Sequence, residues 1–291
     1  MKPPPFEYRA PQSLDEALSL IEELGEDARP LAGGQSLIPL LSFRLARPSH
    51  LIDLADVPEL RSIRLDGGQL VIGAMVRERV AERDGSVREA APLLTYALPL
   101  IGHPAIRSRG TIGGSLAHSD PAAELPTVAL TLDVELVARS RARGERTIPA
   151  ADFFTGFFST ALESDELLTE IHIHPQPPGT GSAFEEVARR HGDFAIVGVA
   201  AMVRVEAERI TEARVVLAGV SDVPVRAFDA EAVLAGAELT DELLGKAARQ
   251  AANSLSPPSD LHGSSAYRRH VAGVLIRRAV RVAAERAGAA A

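Results

Sequence analysis

Apolar residues spaced three and four positions apart predict helices in several parts of the chain. The first helix is expected to begin at Ser13, because Ser13 and Glu16 have the spacing of a capping box and apolar residues follow at helical intervals. Similar patterns predict helices near residues 124–132 and 241–253, and a last, long helix over roughly 265–287. Helices are therefore expected along the whole length of the chain.

Runs of aliphatic and β-branched residues predict strands between these helices. Two short runs at 63–65 and 70–72 flank Asp66-Gly67-Gly68, which indicates a β-hairpin. Further strands are predicted at residues 50–54, 134–137, 147–148, 171–173, 195–205 and 214–218. The sequence contains no internal repeat of the length that solenoid proteins have.

Proline and glycine are most concentrated between residues 175 and 182, which read Pro-Gln-Pro-Pro-Gly-Thr-Gly-Ser. Such a stretch is typical of a connection between domains. We therefore expect a first domain over residues 1–176 and a second over residues 177–291. A chain of 291 residues is long enough for two moderate domains, each with its own core.

Cysteine is absent, and this absence excludes more chemistry than any other feature of the composition. A chain without cysteine cannot form a disulfide, a thiolate zinc site or a cysteine-ligated iron–sulfur cluster. If the protein carries electrons, it needs an organic cofactor or clusters held by another chain.

The net charge of −8 argues against nucleic acid as a partner. No apolar run is long enough for a transmembrane segment, and no secretory signal is evident, so a cytoplasmic location is expected.

Two glycine-rich stretches are the strongest candidates for a binding site. Residues 31–36 read Leu-Ala-Gly-Gly-Gln-Ser, and residues 109–124 contain glycine at 110, 113 and 114, followed by Asp120 and Glu124. Because glycine has no side chain, consecutive N–H groups can turn inward and form an anion-binding concavity. Two such loops in one chain suggest an extended, doubly charged ligand such as a pyrophosphate. The alternative is that both stretches are tight turns between strands.

Other common catalytic or binding motifs are missing from the sequence. It has no Gly-x-Gly-x-x-Gly motif, no P-loop, no Gly-x-Ser-x-Gly elbow and no His-Glu-x-x-His motif. His172 and His174 share one face of a predicted strand, but no obvious third ligand is nearby and a metal site is not expected. His118, Ser119 and Asp120 are adjacent, and neighbours on an extended chain point apart rather than forming a catalytic triad.

The two glycine stretches resemble the flavin-binding signatures of a known family. Residues 32–36 and 111–115 are similar to the two signatures of the FAD-binding medium subunit of molybdenum hydroxylases. This subunit type occurs in carbon monoxide dehydrogenases and in the flavin part of xanthine dehydrogenase. The resemblance continues at residues 101–107, 191–197 and 267–273, so it covers essentially the whole chain in the expected order.

This resemblance implies an α+β fold. The domain over residues 1–176 would be a two-subdomain FAD-binding domain of the vanillyl-alcohol-oxidase or PCMH type, with the subdomain boundary near residues 55–60. The smaller domain over residues 177–291 would be an α+β domain of the carbon monoxide dehydrogenase flavoprotein type, with a short antiparallel sheet and helices.

The resemblance also implies that FAD is bound non-covalently between the two subdomains. The first glycine loop would wrap the pyrophosphate with its backbone N–H groups, and the second would complete the diphosphate site. Asp120 or Glu124 would accept hydrogen bonds from ribose or ribityl hydroxyls. Phe194 would lie near the isoalloxazine ring, the alternative being a core residue at the start of a strand. The implied FAD-binding residues are Ala32, Gly33, Gly34, Gln35, Ser36, Leu37, Ile101, Thr111, Gly114, Ser115, Ala117, Asp120, Glu124, Leu168 and Phe194.

Two features depart from the pattern of the family. Ser115 stands where many relatives have asparagine, and it offers a shorter donor and acceptor. Glu185 and Glu186 lie in a segment where relatives often have lysine. A cation near the flavin would stabilise its reduced anion, so these glutamates leave the redox potential and the electron acceptor open.

The family resemblance implies partner subunits. In the family, substrate is hydroxylated at a molybdenum cofactor in a large subunit, and electrons pass through two [2Fe–2S] clusters in a small subunit to FAD. The chain is therefore expected to assemble with both subunits, as a dimer of heterotrimers, and to hold no catalytic residue or metal itself. Two alternatives remain: a self-sufficient FAD-dependent oxidase or dehydrogenase, and a non-catalytic binding module on a degenerate flavin fold.

Overall fold

The computed structural model describes residues 2–289, and its first part is a small sheet of three parallel strands. The strands are β1 (Glu7–Arg9), β2 (Ala28–Leu31) and β3 (His50–Asp53), and they lie in the order β1–β3–β2. Helix α1 (Leu14–Leu24) precedes β2, and helix α2 (Leu37–Ser42) follows it.

Helix α1 begins where its capping signal predicts. The Ser13 hydroxyl accepts a hydrogen bond from the Glu16 N–H at 3.2 Å, and the Glu16 carboxylate accepts one from the Gln12 N–H at 2.8 Å. The buried face of the helix includes Ile21, which belongs to the same core cluster as Ile52 of β3. The helix therefore covers one side of the small sheet.

A five-stranded antiparallel sheet forms the second part of the fold, in the order β4–β5–β10–β6–β7, and a separate two-stranded hairpin joins β8 to β9. The strands are β4 (Ile63–Asp66), β5 (Gln69–Gly73), β6 (Glu135–Ser140), β7 (Gly144–Pro149), β8 (Phe154–Gly156), β9 (Ser159–Thr160) and β10 (Leu167–Ile173). The helices are α3 (Glu78–Ala81), α4 (Gly85–Ala90), α5 (Pro92–Ala97), α6 (Pro104–Arg107), α7 (Ile112–His118), α8 (Glu124–Thr131) and α9 (Ala150–Phe153).

The hairpin predicted around Asp66-Gly67-Gly68 is confirmed as the β4–β5 connection. Gly67 and Gly68 both have a positive φ, of 56° and 82°. Two consecutive positive φ angles are the geometry that matches the twist of a tight hairpin, and glycine adopts them without steric cost.

The third part is a four-stranded antiparallel sheet with helices on one face, as expected for the second α+β unit. Its strands follow chain order: β11 (Thr180–Val187), β12 (Val197–Glu206), β13 (Arg209–Ala218) and β14 (Val225–Arg226). Helices α10 (Phe228–Leu234), α11 (Asp241–Ser254) and α12 (Ser265–Ala289) follow, and the last corresponds to the long helix predicted from the sequence.

The structure differs from the sequence prediction at two places that matter for the site. Strand β13 begins at Arg209 rather than near residue 214, because polar side chains in its first half reduce the apolar signal. The second glycine stretch, expected to be a loop, forms helix α7, because Thr111 caps its first turn: the Thr111 hydroxyl accepts a hydrogen bond from the Gly114 N–H at 3.0 Å.

The second and third sheets share one hydrophobic core. All eight residues of α8 are buried, and residues of this helix lie in the same core cluster as Phe184, Met202 and Val216 of the third sheet. The other face of the third sheet forms a second cluster with α10, α11 and α12. The Gly219 N–H also donates to the Pro121 carbonyl at 2.8 Å, so backbone hydrogen bonding joins the two units.

We predict that Gly181→Ala in β11 destabilises the third sheet. A Cβ atom at this position would lie 2.0 Å from the Ala283 carbonyl oxygen and 2.3 Å from the Ala287 nitrogen, both in the backbone of α12. Overpacking against backbone usually costs about 1–3 kcal/mol, and here it separates a strand from its covering helix. Urea unfolding followed by circular dichroism measures the loss.

Gly245→Ala is the matched control for this substitution. Gly245 lies inside α11, where an added Cβ would meet only the flexible side chain of Arg249, at 3.3 Å. Alanine favours a helix interior over glycine by about 1 kcal/mol, so this variant should be as stable as the wild type or more stable. Equal stability of the two variants would contradict the close approach of β11 to α12.

Candidate functional site

The structure brings the two glycine stretches into direct backbone contact. A Cβ atom on Gly33 would lie 2.4 Å from the Arg109 carbonyl oxygen and 2.8 Å from the Gly110 Cα. A Cβ atom on Gly114 would lie 3.1 Å from the Ala32 Cβ. We call this contact of residues 32–36 with residues 109–114 the glycine junction. Only glycine at position 33 lets the two backbones approach so closely.

Residues 32–36 form the open side of the glycine junction. Gly34 has a φ of 75°, and within residues 2–289 no hydrogen-bond acceptor faces the backbone N–H groups of residues 33–36. The Gln35 amide donates to the Gly33 carbonyl at 3.0 Å and so holds the loop in shape. Ser36 precedes α2 but makes no side-chain capping bond, and its hydroxyl does not hold the helix. Four consecutive N–H groups are therefore available to an anion.

The second stretch has a different role, and the expectation of two similar N–H concavities is wrong. The Ile112 N–H donates to the Val76 carbonyl at 3.0 Å, and the Gly113 N–H donates to the Ala74 carbonyl at 2.9 Å. The Gly114 N–H donates to the Thr111 hydroxyl, as described above, and the Ser115 N–H donates to the Thr111 carbonyl at 3.1 Å. The N–H groups at the start of α7 are therefore satisfied by the backbone of residues 74–76 and by the Thr111 cap, and they are not available to a ligand.

The glycines of this stretch are instead needed for packing. A Cβ on Gly113 would lie 2.4 Å from the Ala74 Cβ, and one on Gly114 would lie 2.5 Å from the Thr111 hydroxyl oxygen. Thr111 itself is buried, with an exposed fraction of 2%. Ser115 is half-buried and Ala117 is exposed, so these two residues present side chains at the surface of α7.

Two arginines lie beside the glycine junction. The Arg77 guanidinium donates to the Arg109 carbonyl, the same oxygen that Gly33 approaches. Partial burial and the nearby positive charge of Arg109 lower the pKa of Arg77, which shows that the two cations are close. Sequence reasoning missed both residues. Arg109 opens the second stretch, but Arg77 carries no motif and comes to the site only through an isolated bridge with Thr111.

Four acidic residues, Glu78, Asp120, Glu124 and Glu186, form what we call the carboxyl cluster. Burial, together with the charges of Glu186, Glu78 and Asp120, raises the pKa of Glu124 to about 8. Burial also raises the pKa of Glu78 to about 7, against the effect of Arg107 and Arg77, and that of Glu186 to about 7.

At neutral pH Glu124, with a pKa of about 8, is therefore mostly protonated, and Glu78 and Glu186, with a pKa of about 7, each carry a proton about half of the time. A protonated carboxyl both donates and accepts hydrogen bonds, which matches the hydroxyl groups of a sugar or a ribityl chain. Among residues 2–289, the Oε2 atoms of Glu78 and Glu186 are buried without a hydrogen-bond partner. The sequence predicted Asp120 and Glu124 as candidates, but only the fold brings Glu78 and Glu186 to them.

Glu185 and Glu186 face opposite sides of β11, because successive side chains of a strand alternate. Glu185 is 3.7 Å from the Arg278 guanidinium of α12, whereas Glu186 contributes to the carboxyl cluster. Of the two glutamates in the segment where relatives often have lysine, only Glu186 therefore lies in the candidate site.

The remaining predicted residues divide between surface and core. Phe194 is 57% exposed in the loop before β12, so it is not the core residue that the alternative interpretation expected. Ile101 is half-buried, and its neighbour Gly102 contacts the Phe194 loop: a Cβ on Gly192 would lie 2.7 Å from the Gly102 carbonyl oxygen. Leu168 is 6% exposed in β10, where its side chain belongs to the core.

His118, His172 and His174, which are close in the sequence to other polar residues, each contact a neighbouring side chain. The His118 ring stacks on Phe158 with a centroid distance of 4.9 Å, and burial lowers the pKa of His118. His172 is paired with Glu170 at 2.8 Å, and His174 contacts Gln69 at 2.9 Å. In the part of the chain that the structure describes, no cluster of acidic residues and histidines is arranged to hold a metal ion, and no helix is long and apolar enough to cross a membrane.

Two family models match consecutive parts of the chain. The model described as "FAD binding domain in molybdopterin dehydrogenase" matches residues 4–177, and the model described as "CO dehydrogenase flavoprotein C-terminal domain" matches residues 182–283. The first contains the glycine junction, and the second contains Glu186 and Phe194.

Known proteins are similar over nearly the full length of the chain. It is 40% identical over 288 residues to the alpha subunit of the 6-hydroxypseudooxynicotine dehydrogenase complex of Paenarthrobacter nicotinovorans, covering 99% of this chain and 97% of that protein. It is 39% identical over 283 residues to the carbon monoxide dehydrogenase medium chain of Hydrogenophaga pseudoflava, covering 97% of this chain and 98% of that protein.

The fold agrees equally well with a solved structure. Carbon monoxide dehydrogenase from Hydrogenophaga pseudoflava, in a form that lacks the Mo-pyranopterin moiety of its cofactor, superposes with a TM-score of 0.95 at 40% identity, covering 98% of this chain and 99% of that chain. The glycine junction, the two matched models and this full-length similarity lead to one conclusion. The chain belongs to the family of FAD-binding medium subunits of molybdenum hydroxylases.

Proposed function

We propose that this chain holds FAD non-covalently at the glycine junction and transfers electrons from [2Fe–2S] clusters of a partner subunit to an external acceptor. The glycine junction is the observation that carries this proposal. It combines a backbone contact that only Gly33 permits with four N–H groups that no acceptor within residues 2–289 uses. A tight turn alone would not require such a contact.

The residues at the glycine junction fit the pyrophosphate of FAD. The N–H groups of residues 33–36 supply donors, and Arg77 and Arg109 supply positive charge beside them. Ala32 and Leu37 border this loop, and the Ser115 side chain adds a hydroxyl from α7. Thr111 and Gly114 would act indirectly in this arrangement, by capping α7 and allowing it to approach Ala32.

The carboxyl cluster fits the hydroxyl-bearing part of FAD. Protonated Glu124 and Glu186 can donate to hydroxyl oxygens and accept from hydroxyl hydrogens, and Asp120 adds a third carboxyl whose pKa is raised by burial. Ile101 and Phe194, on two loops in contact with each other, would offer apolar surface to a ring system. Leu168 would act from the core beneath the site, and Ala117 would border it on α7.

Bound FAD would supply the redox chemistry, since flavins exchange one or two electrons and the chain has no cysteine pair that could do so. The residues of this chain would bind and orient the cofactor and limit the access of water to it. The sequence has no cysteine, so any cysteine-ligated cluster must come from another chain. We accordingly propose a small iron–sulfur subunit and a large molybdenum subunit as partners, assembled as a dimer of heterotrimers.

The first prediction concerns the glycine junction. Gly33→Ala should greatly reduce the FAD content of the purified protein, because the new Cβ would lie 2.4 Å from a backbone oxygen and force the two stretches apart. The rest of the fold should persist, since Gly33 and residues 109–110 lie in connections outside the strands and helices. Flavin absorbance per mole of protein, compared with far-UV circular dichroism, measures both effects.

Gly85→Ala is the matched control for Gly33→Ala, because an added Cβ at the start of α4 would meet nothing within 4 Å. It should keep the flavin content of the wild type. Acid treatment of the wild type should release free FAD into the supernatant, as expected for non-covalent binding. Full flavin occupancy in Gly33→Ala, or flavin that stays with the precipitated protein, would contradict the proposed mode of binding.

The second prediction concerns the pH dependence of stability. Folded Glu124 has a pKa of about 8 and keeps its proton to that pH, whereas the unfolded group releases it near its ordinary pKa of 4.5. The unfolded state therefore binds fewer protons between these values, and the free energy of unfolding must fall as pH rises through this window. Glu124→Gln removes this contribution, which is at most about 1.4 kcal/mol per pH unit.

Urea unfolding of the flavin-free protein at pH 5.5 and pH 8 tests this expectation. Glu124→Gln should lose less stability than the wild type between the two pH values. Glu185→Gln is the control. Glu185 lies next to Glu186 on β11 but faces the opposite side of the sheet, so this substitution removes a carboxyl that is outside the carboxyl cluster. The same decrease in wild type and Glu124→Gln would show that Glu124 does not titrate in this range.

The third prediction concerns assembly. The isolated chain should carry flavin but no iron or molybdenum, and it should not oxidise substrates of molybdenum hydroxylases in multiple turnovers. In the assembled complex, reduction should bleach the iron–sulfur and flavin absorption bands together. Turnover of an organic substrate by the metal-free chain would instead support a self-sufficient flavin oxidase. Failure to co-purify with an iron–sulfur protein from the native operon would contradict the proposed electron route.

A further inference from the structure

A cavity far from the glycine junction lies between the second and third sheets. Its volume is about 240 Å³, far more than a single water molecule needs. It is bordered by Asp133 after α8, by residues 174–177 of the connection between the sheets, and by Thr180, Arg204 and Arg214 of the third sheet. Thr180 and Glu186 lie at opposite ends of β11, so roughly 20 Å of strand separates this cavity from the carboxyl cluster.

One face of the third sheet packs on α8, and the side chains on this face change from apolar to polar along β12. The cavity lies where this change occurs. Met202 on this face belongs to the shared core. Two positions further along β12 is Arg204, and its cross-strand partner on β11 is Thr180. Side chains at such paired positions point the same way and lie close together. The sheet therefore presents a hydroxyl and a guanidinium side by side to the cavity.

Three polar atoms of the cavity wall are buried without a hydrogen-bond partner among the residues that the structure describes. They are the Gln176 Nε2, the Thr180 hydroxyl and the Arg204 Nε. The Gln176 amide is oriented by the Ser182 hydroxyl, which donates to its Oε1 at 3.4 Å and leaves Nε2 directed elsewhere. Each unpaired buried polar group is costly, so three around one cavity indicate that a ligand satisfies them.

The three unsatisfied groups are all able to donate, which decides the chemistry of the ligand. The two acids that border the cavity, Asp133 and Glu212, are both paired with Arg214, and neither accepts from these three donors. Arg204 contacts Glu206 through Nη2 at 2.6 Å, but its Nε–H has no acceptor within residues 2–289. The group that fits must therefore bring several hydrogen-bond acceptors into the cavity.

We propose that this cavity is a binding site for a small oxyanion, such as a compact carboxylate or inorganic phosphate. The oxyanion accepts hydrogen bonds from Gln176, Thr180 and Arg204 at once. Gln176 lies in the connection between the sheets, whereas Thr180 and Arg204 lie on the third sheet, so the ligand ties the connection to the sheet. Bound oxyanion stabilises the arrangement of the two units without contacting the FAD site.

Malonate and inorganic phosphate are suitable probes, tested on the full chain by isothermal titration calorimetry and thermal unfolding at constant ionic strength. The wild type should bind at least one of them and unfold at a higher temperature in its presence. Arg204→Met keeps the aliphatic stem but removes the donor, and should weaken binding about tenfold or more. Thr180→Val should weaken binding several-fold, and it keeps the proposal testable if Arg204→Met folds poorly.

Arg209→Met is the matched control. Arg209 is an exposed arginine at the start of β13 that pairs with Glu238 at 2.8 Å, and it does not border the cavity. It should bind the probe as the wild type does. Because phosphate raises the stability of many proteins by exclusion from their surfaces, an equal thermal shift in wild type, Thr180→Val and Arg204→Met would overturn the proposal. A crystal soaked in malonate that shows only ordered water at the three donors would also overturn it.

Discussion

The backbone contact of Gly33 with Arg109 and Gly110 is the constraint on which the candidate site depends. The first loop belongs to the small parallel sheet, and the second stretch belongs to the five-stranded sheet, so this contact sets the position of one sheet against the other. A second contact of the same kind joins the end of β5 to the segment that follows β3. A Cβ on Gly73 would lie 2.3 Å from the Leu60 carbonyl oxygen. Any side chain at position 33 would push the two glycine stretches apart and displace the free N–H groups from α7.

The two glycine stretches look alike in sequence but have different roles in the structure. In the first, glycine leaves backbone N–H groups free beside two arginines, a setting suited to phosphate. In the second, glycine lets a helix pack against Ala74 and against the first loop, while its N–H groups are used inside the protein. The candidate site thus has a cationic side and a side of buried carboxyls with raised pKa values, which matches a ligand with a charged end and a hydroxyl-bearing chain.

The third sheet is part of this site as well as a separate unit. It contributes Glu186 to the carboxyl cluster and the loop of Phe194, which rests on Gly102 through Gly192. Arg268 of α12, which is buried, donates to the Gly219 carbonyl at 2.9 Å, and the Gly219 N–H in turn donates to the Pro121 carbonyl. A shared hydrophobic core and these polar contacts fix the third sheet against α8. Glu124 is the first residue of α8, so these contacts also fix its position relative to Glu186.

The sequence by itself determined the cap at Ser13, the hairpin at Gly67 and Gly68, and the order of most helices and strands, because these features depend on local chemistry. It also identified the two glycine stretches as candidate binding segments. The lack of cysteine likewise excluded cysteine-ligated clusters on composition alone. Only the tertiary structure decided which glycines pack and which leave N–H groups free, and it alone brought Arg77 and Glu186 to the site. These properties depend on burial and on contacts between residues far apart in the chain, which no local pattern of side chains records.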